Sequence, residues 1–284
     1  MLKSSVKCVS KKYDFVGMDN DISNIYKIST YGGEDAWFIG DNIIGVADGV
    51  SGWTTKGVSS AFSNSLMIEC KRYSEYYDEP IKILEIAYNA TKNNVIGGSS
   101  TACIAKLNSS TLNSFTLNSF TLNCANHGDS GLIVVRDKKI IHKTLRDQMK
   151  ENTPFQLGKW DLNEDKLDSN EHKIEVDAMY NQYGRRIVDT KIYNFDVKLN
   201  DIIITATDGF FDNITDESII ESCSSDNLEL IVSTLMKKAI HETVLKGDPE
   251  YIDDITIIVS MIVNNDDQQQ LTSNKRQKIN EIVV

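Results

Sequence analysis

The chain has 284 residues, 40% of them hydrophobic, enough to bury one large core or two small ones. Its 41 acidic residues against 30 basic ones leave a net charge of −11, which disfavours a nucleic-acid-binding surface. No apolar run approaches the ~20 residues of a membrane-spanning helix, and five scattered cysteines without paired spacing fit free thiols in a reducing compartment.

Residues 1–30 read as an N-terminal segment leading into the first strand. Their start, "MLKSSVKCVSKKYDF", is rich in lysine and serine with no acid before Asp14. That faintly resembles an organelle transit peptide, but arginine is missing and a frayed terminus explains the composition equally well. The expected compartment is intracellular, cytosolic or mitochondrial. Strand-like runs then follow at 36–40, 42–47, 100–107, 122–127, 131–137, 139–144, 201–207 and 254–263, several joined by short turns as antiparallel hairpins are.

Helical patterns fall between these groups. From Gly57 to Tyr77, the residues Val58, Phe62, Leu66, Cys70, Tyr73 and Tyr77 recur on one face. A second helix starts at Pro80, and a third runs from an Asp226 cap through Leu228, Val232, Leu235 and Ala239 to Gly247 as its stop. Grouped strands with helices inserted between the groups predict an α+β fold of layered sheets covered by helices. Residues 108–121, which carry two copies of Leu-Asn-Ser-Phe-Thr, read as a hairpin extension. Residues 159–194 read as a charged insertion, with a substrate-recognising flap as the sharper alternative. The tail 264–284 is polar and reads as disordered.

Carboxylates stand beside predicted strands in four places: Glu34-Asp35, Asp48-Gly49, Asp208-Gly209 and Asp253-Asp254. Singly, an Asp-Gly pair is a common turn, because glycine takes positive φ and aspartate bonds its own backbone. Several carboxylates held at the ends of apolar strands, however, are costly without a cation. Hard oxygen ligands suit Mg²⁺ or Mn²⁺, and a pair of such ions lowers the pKa of a bridging water until it can attack phosphorus in line. The four histidines show no zinc-ligand spacing.

These residues, in this order, resemble the metal-dependent protein phosphatases of the type-2C (PPM) family, in its organelle-type branch. The resemblance runs from about Gly32 to Val263. It rests on "GGEDAWFIGDNIIGVADGVSGW", "GSSTACIAKL", "NCANHGDSGLIVVRD", "ENTPFQLG", "ITATDGFFDN" and "DDITIIVS". It implies a four-layer α-β-β-α sandwich, two central antiparallel sheets flanked by helices, within a phosphatase domain at 31–263. It also implies two Mg²⁺ or Mn²⁺ ions per chain. Asp48 would bridge both ions and the Gly49 carbonyl would help hold one. Asp208 and Asp253 would complete the other site, Asp35 would bind through water with Glu34 beside it, and Asp129 would serve a third, weaker ion or else a hairpin turn.

Catalysis would run through Asp48 and Asp208 by way of metal-bound water, on a phosphorylated protein substrate. The chain would act as a monomer, without nucleic acid or a membrane span. Where many family members place His after the first Asp-Gly, this sequence has Val50, and Thr30 stands where an arginine commonly grips phosphate. Lys27 and Arg136 are then the candidates for the missing cation. Two other readings remain: a catalytically silent binding protein, and a phosphatase of small phosphorylated metabolites. A kinase is excluded by the lack of a Gly-rich phosphate loop and a His-Arg-Asp catalytic loop.

Overall fold

The computed structural model of the chain describes residues 1–11, 26–28, 33–50, 60–109, 119–150, 153–159, 184, 186–247 and 252–264. The chain opens with β1 (Leu2–Lys11) and the short β2 (Tyr26–Ile28). A hairpin of β3 (Ala36–Ile39) and β4 (Ile43–Ala47) precedes two helices, α1 (Ala61–Tyr73) and α2 (Pro80–Asn94). Then come β5 (Gly98–Ser100), β6 (Ala102–Ser109), β7 (Ser119–His127), β8 (Gly131–Arg136) and β9 (Lys139–Lys143). Three short strands follow, β10 (Gln148–Lys150), β11 (Thr153–Pro154) and β12 (Leu157–Lys159). After them lie β13 (Lys191–Lys198), β14 (Ile202–Ala206), α3 (Asp208–Phe211), α4 (Asp216–Ser222), α5 (Leu228–Lys246) and β15 (Ile255–Ile262).

Two antiparallel sheets form the centre. One has six strands in the order β2-β1-β15-β14-β8-β9, the other five in the order β13-β7-β6-β4-β3. Strand alternation divides their side chains between layers. Ile44 and Val46 of β4 meet Ile203 and Ile258 between the sheets, while Ile43 and Ala47 turn outward onto Phe62, Leu66 and Leu84 of the α1–α2 layer. In β14 and β15, Ile202, Ile204, Ile257 and Val259 face the other way, against Ile231, Val232 and Leu235 of α5. The expected four-layer sandwich is the fold observed.

Boundaries differ in instructive places. The terminus read as frayed is a strand: β1 pairs with β15 from Leu2↔Ile262 to Val9↔Ile255, inside the six-stranded sheet. The first helix is described from Ala61, since 51–59 lie outside the described residues. α5 is capped by Asn227, not Asp226: the Asn227 side chain accepts from the N–H groups of Glu229 and Leu230. Gly247 closes that helix in the left-handed conformation at φ 63°. The last four residues assigned to the 159–194 insertion belong to β13, and most of the others, 160–183, lie outside the described residues, as do 110–118 of the hairpin extension and 265–284.

Candidate metal centre

At one rim of the sandwich, strand ends from both sheets converge. Asp48 follows β4 of the five-stranded sheet, Asp129 sits in the turn between β7 and β8, and Asp208 opens α3 directly after β14. Because Ala206 pairs with Gly131, the end of β14 and the start of β8 lie side by side. One carboxylate oxygen from each of Asp48, Asp129 and Asp208 lies within 4.8 Å of the others. The Asp48 backbone is fixed on both sides by Thr101, whose Oγ1 accepts from its N–H at 3.1 Å and whose N–H donates to its carbonyl at 3.0 Å.

The glycine of each Asp-Gly pair marks a close approach of backbone. A Cβ on Gly49 would collide with the Glu34 carbonyl, and one on Gly209 with the Asp254 carbonyl. The four acidic stretches therefore pack in pairs, 48–49 upon 34–35 and 208–209 upon 253–254. Asp35 is buried, and its Oδ2 accepts from Thr207 Oγ1 at 2.9 Å, which in turn accepts from the Thr256 N–H at 3.1 Å.

Asp253 and Asp254 behave differently. Asp254 is 2% exposed, and its two oxygens accept the backbone N–H groups of Lys11 at 2.7 Å and Glu34 at 2.6 Å. Asp253 keeps 35% of its side chain exposed and is paired with Lys11 Nζ at 2.7 Å. Its charge bears on Asp48, Asp208 and Asp35, and that of Asp254 also bears on Asp35.

Electrostatics set this rim apart. Burial, and then the charges of neighbouring aspartates, push the Asp35, Asp48 and Asp208 carboxyls well above the usual range. Burial also raises Asp129, to about 6, against the Gln148 hydrogen bond and the Arg146 charge that hold it down. Oδ1 of Asp129 and Oδ1 of Asp208 have no hydrogen-bond partner among the described residues. Buried carboxylate oxygens left in that state are costly, and an oxygen-only donor set fits a hard divalent cation.

Two basic residues at this rim were not singled out from sequence. Lys11 pairs with Asp253 on one flank. On the other, Arg146 Nη1 pairs with Asp212, and its Nε donates to the Asp129 carbonyl at 3.2 Å. Neither has a sequence signal, since nothing in the spacing ties 11 to 253 or 146 to 212. Arg136, a candidate phosphate cation, stands instead at the opposite end of β8, held bidentately by Asp201 at 2.7 and 2.6 Å. The Lys27 side chain lies outside the described residues.

No protein-family model matches the chain. A PTC7-homolog protein phosphatase of Danio rerio is 33% identical over 268 residues, covering 83% of each chain. The chain belongs to the type-2C (PPM) protein phosphatases. The photosystem II phosphatase PBCP shares the fold of this phosphatase, with a TM-score of 0.65 at 23% identity over 93% of this chain and 99% of its own. The catalytic domain of the serine/threonine phosphatase PstP, solved with two manganese ions, superposes at a TM-score of 0.57 with 15% identity, over 93% of this chain and 99% of its own. Among the described residues, no helix is long and apolar enough to cross a membrane.

Proposed function

We propose that this phosphatase removes phosphate from phosphorylated serine and threonine side chains of proteins, with two Mg²⁺ or Mn²⁺ ions held at the rim. The observation that carries the reading is the convergence of Asp48 and Asp208, with Asp129 beside them, within 4.8 Å, and a buried oxygen of Asp208 left without a hydrogen-bond partner among the described residues. Asp48, Asp208 and Asp253, together with the Gly49 carbonyl on backbone clamped against Glu34, would hold the ions, and Asp35, held by Thr207, would stand behind them. When bound, the ions supply an activated water as nucleophile and offset charge on the phosphoryl oxygens. The chain's own part is to fix the carboxylates on strand ends, so that little reorganisation accompanies reaction.

The protein acts as a monomer inside the cell. A reducing compartment fits the five cysteines, which are scattered without paired spacing.

The test is phosphate release from a phosphothreonine peptide in Mn²⁺, in Mg²⁺ and in EDTA, with small phosphorylated metabolites in parallel. Peptide hydrolysis that EDTA abolishes is expected. Asp48→Ala and Asp208→Ala should each lower the rate about 1,000-fold or more, some 4 kcal/mol of transition-state stabilisation, with circular dichroism unchanged. Activity that persists in EDTA would contradict the mechanism, and a clear preference for metabolites would contradict the substrate.

A further inference from the structure

Arg146 lies beyond β9 and is only 28% exposed. Its guanidinium is tied down on two sides: Nε donates to the Asp129 carbonyl at 3.2 Å, and Nη1 pairs with Asp212. The remaining nitrogen, Nη2, is sealed from solvent and makes no hydrogen bond among the described residues, yet it lies 3.9 Å from Asp129 Oδ2. That same oxygen accepts from Gln148 Nε2 at 2.6 Å, so Asp129 has only Oδ1 left without a hydrogen bond. Asp212 follows Asp208 by one helical turn, its N–H donating to the Asp208 carbonyl at 2.8 Å. The charge of Asp208 also bears on the guanidinium.

We propose that Arg146 is a built-in cation of the metal centre, standing between Asp129 and Asp212 where a further divalent ion would otherwise bind. It thereby limits the centre to two ions. The inference rests on the binuclear reading above and goes beyond it. A guanidinium does not lose its proton in a protein, so this corner keeps one fixed positive charge between its two carboxylates at every working pH. A divalent ion entering there would have to expel a partly buried, doubly anchored arginine and leave its charge unpaired. The third ion that the family resemblance implies at Asp129 is thus replaced by a side chain. Arg146 is a positioning residue, acting through Asp129 and Asp212.

The experiment is a Mn²⁺ count on the full chain, following free Mn²⁺ by electron paramagnetic resonance during titration. Wild type should bind two ions. Arg146→Gln removes the charge and should bind three, the added one more weakly. Arg146→Lys should stay at two, and Arg146→Gln/Asp212→Asn, which removes one charge of each sign, should return to two. If Arg146→Gln folds only with added Mn²⁺, a requirement for the third equivalent gives the same support. Three ions in wild type, or two in Arg146→Gln, would overturn the proposal while leaving the metal-dependent reading intact. No ions in wild type would overturn both.

Discussion

Asp254 accepts two backbone N–H groups and is shut away from solvent, whereas its neighbour Asp253 stays partly exposed and answers the Lys11 ammonium. Asp254→Asn replaces one acceptor with an N–H₂ that faces another donor. It should cost about 1–3 kcal/mol of stability, read by urea denaturation. Asp253→Asn should leave stability within about 0.5 kcal/mol and weaken Mn²⁺ binding roughly 10–100-fold, read by titration. A reversed pattern would move the ligand from Asp253 to Asp254. Sequence alone marks Asp48 and Asp208 well, because each ends an apolar, β-branched run where an unpaired carboxylate is out of place. It separates Asp253 from Asp254 only through the family pattern, since two adjacent aspartates before one strand look alike. Arg146 and Lys11 were invisible, because Arg146 pairs with Asp212, 66 residues on, and Lys11 with Asp253, 242 residues on.

At the scale of elements, β1 is the strand that composition concealed. Its outer face is polar because it is partly solvated and meets α5 through polar groups: Ser5 Oγ donates to Glu229 at 2.6 Å and Lys7 pairs with the same carboxylate at 2.6 Å. Lysine and serine on such a face break the continuous apolar run that made β4, β14 and β15 legible. The strand is nonetheless internal to its sheet, flanked by β2 and β15. Deleting residues 1–11 would bare the edge of β15 and remove Lys11 from Asp253. The truncated chain should fail to give soluble, cooperatively melting protein. Cooperative unfolding at the wild-type temperature would show that β1 contributes nothing. Gly209 makes a smaller test of the same kind: Gly209→Ala forces a Cβ against the Asp254 carbonyl and should destabilise by about 1–3 kcal/mol in urea melts.

Across the whole molecule, the sandwich gathers negative charge at one rim, and that gives the metal-free protein a pH signature. The Asp35, Asp48, Asp208 and Asp129 carboxyls all sit above their ordinary range, Asp129 at about 6. Raised carboxyls hold protons in the folded state that the unfolded chain releases near pH 4. Their stabilising contribution is therefore full below that pH and is lost as pH climbs through the folded values. Divalent ions bind the ionised form, so the rise in melting temperature caused by Mn²⁺ over EDTA should grow as pH increases through about 6. A shift independent of pH would mean that these carboxylates are not where the ions bind. Layered sheets covered by helices were legible from the grouping of strands and helices, while the four-layer order and the placing of strand ends from opposite sheets at one rim had no local signal and came from the family's motif order. The most direct measurement is anomalous diffraction at the manganese edge from crystals grown with Mn²⁺. Two peaks, with Asp48 touching both and Asp208 and Asp253 touching one, are expected; peaks elsewhere, or none among these aspartates, would contradict the binuclear centre.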